Sequence, residues 1–181
     1  AFSKQHLRLM AGSDSMNIRT VAVIGAGTMG AGIAQVCAQA GWDTRLYDAF
    51  PEGLVRGMDS IEGFWKKGVE IGKTTEKQKA EWSTNLSSFG DMAEAVSEAD
   101  LVIEAVPEIM ELKQEIFSSL EEMAPSHAIL ATNTSSLRIS EIANSTNCGN
   151  RIIGMHFFNP VPVMKLLEIV RHDGCSDETI Q

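Results

Sequence analysis

Short apolar runs alternate with longer segments of helical period along most of this chain. RTVAVIG at 19–25 is apolar and β-branched, TMGAGIAQVCAQAG at 28–41 has helical content, and WDTRLYD at 42–48 is a second short run. Short β-branched runs are typical of strands buried in a parallel sheet. The order strand, helix, strand predicts a βαβ unit, and Gly41 is placed to end its helix.

The alternation is interrupted once, at about 51–83. Apolar residues from Leu54 to Trp65 recur there at helical spacing, and a turn near Gly72 precedes a second, charged helix. A crossover between parallel strands needs only one helix. Two helices in this place therefore predict an inserted helical hairpin, with Phe64 and Trp65 on its inward face.

Beyond the hairpin, strands and helices alternate again to the end of the chain. The expected strands cover residues 85–90, 99–106, 128–133 and 151–158, and the expected helices cover residues 91–99, 111–123 and 138–145. Regular alternation of this kind is typical of a doubly wound sheet. The predicted fold class is α/β, with a Rossmann-type doubly wound, mostly parallel sheet and an inserted helical hairpin.

Composition narrows the class of protein. The 181 residues are 44% hydrophobic and 22% charged, with a net charge of −9. An acidic chain cannot neutralise phosphates broadly, which argues against a nucleic-acid partner. No apolar run approaches the roughly 18 residues of a membrane span, so we expect no membrane partner. Three cysteines without metal-type spacing indicate reduced thiols and a cytoplasmic location, and we expect no metal site.

The turn after the first predicted strand carries a glycine pattern. GAGTMG at 25–30 places Gly25 at the strand end and Gly27 and Gly30 at the start of a helix, with Thr28 and Met29 between them. In a βαβ unit, such glycines allow a tight turn, a close backbone approach to a pyrophosphate, and close helix–strand packing. The free N–H groups of the helix N-terminus complete the predicted dinucleotide site.

Asp48 identifies the dinucleotide more closely. It ends the second predicted strand, near the offset of about 20 residues at which an acidic side chain binds the adenosine ribose. A carboxylate there repels a 2′-phosphate. The expected cofactor is therefore NAD rather than NADP.

Ligands of doubly wound sheets bind outside the carboxyl ends of the strands. Polar residues follow three of the predicted strands at that edge, and they are Glu104, Glu108, Asn133, Thr134, Ser135, Ser136, His156 and Asn159. Each has a structural interpretation as well, since Ser136 fits a helix N-cap and a lone histidine at a strand end is commonly structural. Together they are expected to line one crevice beside the nicotinamide.

HFFNPVPVMKLLEIV at 156–170 suggests the chemistry of that crevice. A corner that contains Pro160 and Pro162 can fold a second strand back beside the first, which brings His156 and Glu168 within hydrogen-bonding reach. A histidine is suited to take a proton from an alcohol as its hydride leaves. A carboxylate on the other ring nitrogen fixes the tautomer and stabilises the imidazolium.

Four stretches in this order resemble the L-3-hydroxyacyl-CoA dehydrogenase family, which includes the 3-hydroxybutyryl-CoA dehydrogenases. They are VAVIGAGTMGAGIAQ, ADLVIEAVPE with ELK after it, NTSSL, and HFFNPVPVMKLLEIV. The resemblance implies NAD-dependent oxidation of the 3-hydroxyl of an acyl-CoA, or the reverse reduction. It covers about Ile18 to Thr179.

The resemblance also implies roles for individual residues. His156 matches the catalytic base and Glu168 its partner, while Ser135 matches the residue that binds the substrate oxygen and Asn159 helps to line the same pocket. The remaining matches concern the cofactor, with Glu108 and Lys113 near the nicotinamide and its ribose and Glu104 as a neighbour. Asn133 is expected to contact the cofactor because it lies in the same crevice. In the hairpin, Lys73 is a candidate for the CoA phosphates, although lysine-rich helix surfaces are more often only solvated.

The expected organisation has three parts. Residues 1–15 are interpreted as a vector-derived or disordered segment, 16–172 as the NAD-binding domain, and 173–181 as a linker and the start of a further helical domain. In the family that helical domain closes the substrate cleft and forms the homodimer interface. Because it lies beyond Gln181, we expect this chain to bind NAD and to turn over weakly or not at all.

Two other functions agree with the same motifs. One is a related Rossmann dehydrogenase that acts on a hydroxy acid without CoA, such as carnitine or a sugar acid. The other is a non-catalytic NAD-binding protein. Retention of His156, Glu168 and Ser135 together favours an enzyme over the second alternative.

Overall fold

The structure, a computed structural model, describes residues 17–134, 137–164 and 166–181, and one seven-stranded sheet organises them. The predicted segment 1–15 lies outside the described residues. The strands are β1 (Thr20–Ile24), β2 (Asp43–Tyr47), β3 (Leu86–Phe89), β4 (Leu101–Glu104), β5 (Ile129–Thr132), β6 (Ile152–Phe157) and β7 (Leu167–Val170). The helices are α1 (Thr28–Gln39), α2 (Pro51–Glu70), α3 (Glu76–Thr84), α4 (Met92–Val96), α5 (Met110–Met123), α6 (Ile139–Ala143) and α7 (Asp177–Ile180).

The sheet order is β3-β2-β1-β4-β5-β6-β7. All pairs are parallel except β6 with β7, which is antiparallel. The chain winds outward from β1 in one direction and returns to continue from β4 in the other. This arrangement confirms the predicted doubly wound, mostly parallel sheet, and it places a crevice between the ends of β1 and β4.

Both faces of the sheet are covered because the central strands are apolar at most positions. Val21 and Val23 of β1 point to the face covered by α1 and the hairpin, while Ala22 and Ile24 point to the face covered by α5 and α6. Side chains alternate along a strand, so one buried strand contributes to both layers. The result is a helix–sheet–helix sandwich.

The inserted hairpin consists of α2 and α3. The helix α3 begins with a capping box, in which Thr75 and Gln78 satisfy each other's backbone N–H groups. Trp65 of α2 packs against Trp82 of α3, with ring centroids 5.8 Å apart. These contacts confirm the predicted hairpin and the inward position of Trp65.

The predicted inward position of Phe64 is wrong. Its side chain is 47% exposed, whereas Trp65 is 2% exposed. Consecutive residues of an α-helix point about 100° apart, so Trp65 faces the core while Phe64 faces outward. The wider aromatic side chain takes the inward position.

The antiparallel strand β7 follows from the proline corner after β6. The register pairs His156 directly with Glu168 and Met155 with Ile169. Because β7 is the last strand of the described sheet, its outer edge is unpaired there.

No helix within the described parts of the chain is long and apolar enough to cross a membrane.

Candidate active site

The glycine-rich turn joins β1 to α1 with very little space around it. Gly25 has φ +106°, and a Cβ there would lie 2.6 Å from the carbonyl oxygen of Ala105. A Cβ on Gly30 would overlap the carbonyl oxygen of Gly25. These two glycines are therefore required by backbone geometry, as the motif predicts.

Gly27 differs because it opens onto free space. Nothing lies within 4 Å of a Cβ built there, and Gly27 is the N-cap of α1 without a side-chain cap. Thr28 and Met29 follow in the first turn of the helix, and Thr28 is exposed. An open glycine in front of uncapped helix N–H groups fits a pyrophosphate, which binds helix N-termini through such groups.

Asp48 lies directly behind this turn at the end of β2. Its Oδ2 accepts the N–H of Ala26 at 2.8 Å and its Oδ1 accepts the N–H of Phe50 at 2.8 Å. Each carboxylate oxygen keeps a lone pair for another donor. The carboxylate is thus held in place beside the glycine-rich turn and can accept further hydrogen bonds.

Gly57 belongs to the same corner, and the sequence motifs do not predict it. A Cβ on this α2 residue would lie 2.7 Å from the carbonyl oxygen of Ala26. The hairpin helix therefore packs directly on the glycine-rich turn. In the sequence, the one indication of this contact is that Gly57 follows Gly53 by one helical turn.

A buried charge cluster lies at the ends of β4 and β5. The ammonium of Lys113 contacts Glu104 Oε2 at 2.7 Å and Oε1 at 2.9 Å, and it lies 3.0 Å from Glu108 Oε1. The side chains of Lys113 and Glu104 are 0% exposed, whereas that of Glu108 is 39% exposed. Of the three, Glu108 alone is exposed to solvent.

Further donors satisfy the buried carboxylate of Glu104. The Thr132 hydroxyl donates to its Oε1 at 2.7 Å and the Val106 N–H donates to its Oε2 at 2.8 Å. Burial raises the pKa of Glu104, and the charge of Lys113 together with these hydrogen bonds opposes that rise. Neither Thr132 nor Val106 was singled out by the sequence motifs.

Asn133 and Thr134 connect this cluster to the neighbouring strand. Asn133 Oδ1 accepts the N–H of Phe157 at 3.0 Å, and the Thr134 hydroxyl donates to Glu108 Oε2 at 2.6 Å. Asn133 therefore fixes the end of β5 against β6 beside His156. Ser135, predicted to bind the substrate oxygen, lies outside the described residues, as does Ser136.

His156 and Glu168 face each other across β6 and β7. The distance from His156 Nδ1 to Glu168 Oε2 is 3.2 Å, and the two side chains are 24% and 53% exposed. The ring of Phe158 packs against the imidazole, with centroids 4.5 Å apart. The predicted contact between the two residues is therefore present, and Nε2 is the ring nitrogen on the side away from Glu168.

The other two predicted site residues lie on exposed segments. Asn159 is exposed in the corner between β6 and β7, three residues after His156. Lys73 is exposed in the turn between α2 and α3, where its N–H donates to the carbonyl of Gly68 at 2.9 Å. The structure thus gathers the residues predicted to bind the cofactor and the His–Glu pair at one edge of the sheet, while Lys73 belongs to the hairpin.

Comparison with known proteins agrees with this geometry. The family model described as "3-hydroxyacyl-CoA dehydrogenase, NAD binding domain" matches residues 20–181. A Bacillus subtilis protein named "Probable 3-hydroxybutyryl-CoA dehydrogenase" is 46% identical over 164 residues, which cover 91% of this chain and 57% of that protein. The human "Hydroxyacyl-coenzyme A dehydrogenase, mitochondrial" is 40% identical, with coverage of 94% and 56%.

Solved structures give the same result. The crystal structure of 3-hydroxybutyryl-CoA dehydrogenase from Escherichia coli K12 has a TM-score of 0.88 and 43% identity, and the match covers 91% of this chain and 35% of that one. A diketoreductase structure, described as acting on dicarbonyl compounds, has a TM-score of 0.84 and 32% identity, with coverage of 91% and 59%.

This chain spans little more than half the length of the Bacillus and human relatives. The matched part is the one that holds the glycine-rich turn, Asp48 and the His–Glu pair. The chain therefore belongs to the 3-hydroxyacyl-CoA dehydrogenase family and corresponds to its NAD-binding domain.

Proposed function

We propose that the complete protein oxidises the 3-hydroxyl of an L-3-hydroxyacyl-CoA to the ketone, or reduces the ketone, with NAD(H). The contact between His156 and Glu168 carries this proposal, because it pairs a proton acceptor with a carboxylate at the cofactor crevice. The names of the relatives support the acyl-CoA substrate class.

His156 acts as the base in this proposal. Its Nδ1–H donates to Glu168, so the lone pair lies on Nε2, and Nε2 takes the hydroxyl proton. Glu168 stabilises the imidazolium once the proton has moved. In the reverse direction the imidazolium returns the proton to the carbonyl oxygen.

NAD supplies the hydride acceptor when it is bound. The proposed contacts for its pyrophosphate are the backbone from Gly25 to Gly30, and Asp48 is proposed for the adenosine ribose. At the nicotinamide end, Glu108 reaches the crevice surface and Asn133 braces the adjoining strand. Lys113 has its ammonium turned to two carboxylates and contributes as their counter-charge.

The substrate contacts are proposed as well. Ser135 binds the reacting oxygen, Asn159 lines the pocket, and Lys73 meets a CoA phosphate. The exposed positions of Asn159 and Lys73 support access to a ligand. Residues 16–172 form the NAD-binding domain of this proposal, with 173–181 as the linker to a helical domain through which the complete protein forms a homodimer.

A cytoplasmic location is part of the same proposal. Cys37, Cys148 and Cys175 are all unpaired and buried, which suits a reducing compartment. Some relatives carry "mitochondrial" in their names. Cell fractionation with an antibody to this chain distinguishes the two compartments.

The test follows NADH absorbance after acetoacetyl-CoA is added to the complete protein. We expect rapid oxidation of NADH and slow oxidation of NADPH, because Asp48 opposes a 2′-phosphate. Absence of oxidation while NADH still binds would refute the proposed activity and leave the cofactor site standing. We expect this chain alone to bind NADH and to turn over weakly.

The diketoreductase match favours one second candidate, a dehydrogenase that acts on a carbonyl compound without CoA. Acetoacetate and acetoacetyl-CoA separate the two, since both offer the same reacting ketone. Equal rates with both compounds favour the second candidate. Strong preference for the thioester favours the first.

A further inference from the structure

His156 lies beyond the point at which β6 is paired on both sides. The register between β5 and β6 ends where Thr132 pairs with Gly154, whereas β6 continues to Phe157. Along this continuation the partner strand in the described sheet is β7, whose own outer edge is unpaired there. The end of β6 that carries the proposed base therefore depends on contacts from the side of β5.

Asn133, the residue after β5, provides such a contact with its side chain. Its Oδ1 accepts the N–H of Phe157 at 3.0 Å, in a partly buried position. A buried backbone N–H without an acceptor costs free energy, and the amide oxygen takes the place of the strand carbonyl that the ended ladder no longer offers. Because the partner is a donor, the oxygen of the amide faces Phe157 and Nδ2 faces away from it.

Asn133 is itself fixed to the other neighbour of β5. Its N–H donates to the carbonyl oxygen of Glu104, the last residue of β4, at 2.8 Å. Its carbonyl oxygen lies 3.5 Å from the ammonium of Lys113, whose side chain is completely buried. Asn133 therefore joins the end of β4, through its backbone, to the end of β6, through its side chain.

The bond acts on the peptide group that joins His156 to Phe157. Phe157 is buried in the core on the face covered by α1, while the imidazole of His156 lies against Glu168 and is partly exposed. Neighbouring side chains of a strand point to opposite faces, so the orientation of this one peptide determines the direction of the imidazole. Proton transfer needs heavy atoms within about 3 Å of each other, and a displacement of about 1 Å costs about 10²-fold in rate.

We propose that Asn133 is a positioning residue, which holds the peptide between His156 and Phe157 through its side-chain oxygen and thereby aims the imidazole at the substrate. The inference rests on the proposed function of His156 as the base. The effect of Asn133 on the base passes through the backbone of Phe157. Contact of Nδ2 with the cofactor is the competing role, and it depends on the donor end of the amide.

The test measures NADH oxidation by the complete protein with acetoacetyl-CoA, together with NADH affinity from fluorescence titration. Asn133→Ala removes the acceptor, so we expect kcat to fall about 10²-fold. The KM for acetoacetyl-CoA and the dissociation constant of NADH should stay within about twofold, since the loss concerns the reacting geometry and not ground-state binding.

Asn133→Asp separates the two ends of the amide. It keeps an oxygen that accepts from Phe157 and removes the Nδ2 donor. For a positioning residue, N133D should keep kcat within about tenfold of the unmodified protein, despite its added charge. For a cofactor contact through Nδ2, N133D would weaken NADH binding as much as N133A does. This variant tests the idea even where N133A does not fold.

Asn85→Ala is the matched control. Asn85 lies between α3 and β3, and its Nδ2 donates to the carbonyl oxygen of Ala38 at 3.1 Å in a partly buried position. The substitution removes one bond from a side chain to the backbone, as N133A does, but at the amino end of a strand, away from the His–Glu pair. Both alanine variants should lower the urea midpoint of the complete protein by a similar amount, and N85A should leave kcat unchanged.

An unchanged kcat in N133A would overturn the proposal, and so would an N133D variant as slow as N133A. Weaker NADH binding in both variants would assign Asn133 to the cofactor instead. A loss of kcat in N85A as large as that in N133A would also overturn it, since general destabilisation would then explain the effect. The proposed function fails in a different way, because the unmodified complete protein would then not oxidise NADH with acetoacetyl-CoA.

Discussion

Asp48 illustrates how a side chain proposed to bind the ligand can also brace the fold. Its two oxygens accept the backbone N–H groups of Ala26, in the glycine-rich turn, and of Phe50, in the loop after β2. The sequence indicates the position of such a residue, because the spacing from the glycine motif is typical of ribose binding. It does not indicate that the carboxylate also braces the turn, since that depends on the path of the loop after β2.

Replacing Asp48 tests the ribose role. We expect Asp48→Ser to lower NADH affinity at least about tenfold and to reduce the preference for NADH over NADPH, because the 2′-phosphate is no longer repelled. Fluorescence titration with both cofactors measures this. Asp59→Ser, on the exposed side of α2, is the matched control and should change neither affinity. An unchanged preference in D48S would place cofactor selection elsewhere.

Glu168 is tested in the complete protein. Glu168→Gln keeps an oxygen that accepts from His156 Nδ1 and removes the charge, so the imidazolium is less stable and kcat should fall about 10²-fold. NADH affinity should stay within about twofold, which distinguishes this effect from misfolding. Stopped-flow reduction of acetoacetyl-CoA gives both values. A kcat near that of the unmodified protein would show that the pair is structural.

The two residue pairs of the site differ in how far sequence predicts them. The register of His156 with Glu168 follows from a proline corner between two strands, which is a local pattern. The contact of Glu104 with Lys113 spans a strand, an irregular loop and the first turn of α5, so no simple period marks it. Contacts that cross a loop depend on tertiary packing rather than on spacing.

At the scale of elements, one glycine of α2 marks where the hairpin meets the glycine-rich turn. Gly57 and Gly63 lie in the same helix, α2, and intrinsic helix propensity treats them equally. Their surroundings differ, because a Cβ on Gly57 meets the carbonyl oxygen of Ala26 at 2.7 Å and a Cβ on Gly63 meets nothing within 4 Å. The sequence predicts the helix and does not distinguish the two positions.

This pair gives a matched test of the packing. We expect Gly57→Ala to lower the free energy of unfolding by about 1–3 kcal/mol, because the helix must move away from the glycine-rich turn. Gly63→Ala should raise it by up to about 1 kcal/mol through helix propensity alone. Urea denaturation followed by circular dichroism measures both. Equal effects of the two substitutions would contradict the close approach of α2 to Ala26.

For the whole molecule, the sequence predicts the layers of helices and sheet better than it predicts which single side chains are exposed. Alternating strands and helices require a doubly wound sheet, and apolar strands such as β1 require cover on both faces. The inward or outward position of a single bulky residue depends on which of two neighbouring side chains packs against the core. The prediction that Phe64 faces inward is wrong for this reason, since Trp65 takes that position. The pKa values of carboxyl groups also depend on the whole fold, as Asp100 and Glu104 show.

Asp100 lies at the opposite end of the sheet from the cofactor crevice. Its side chain accepts the N–H groups of Arg19 at 2.8 Å and Thr20 at 3.0 Å, and it lies 2.9 Å from His127 Nε2. Burial acts to raise the pKa of Asp100, but the hydrogen bonds from Arg19, His127 and Thr20 outweigh it and hold the pKa below its ordinary value. Glu104 is the reverse case, since burial raises its pKa.

These two carboxyl groups contribute to acid stability with opposite signs. An unfolded aspartate has a pKa of about 3.9, which is above that of folded Asp100. As pH falls, the unfolded chain therefore takes up a proton at Asp100 before the folded chain does. The stabilisation from Asp100 is present above that pH and is lost as pH falls through the lower, folded pKa. Glu104, with its raised pKa, takes up a proton first in the folded chain, which offsets part of the loss as pH falls.

Asp100→Asn should therefore lower the free energy of unfolding by about 1–2 kcal/mol at pH 7, because hydrogen bonds to a charged acceptor are replaced by weaker ones. At pH 3.5 the difference from the unmodified chain should be clearly smaller, since Asp100 is then partly protonated in the unfolded state. Urea denaturation at both pH values measures it, with Asp59→Asn as an exposed control. A difference that does not depend on pH would mean that Asp100 acts through packing, and that the charge at the start of β4 contributes nothing to holding β1 and β4 together.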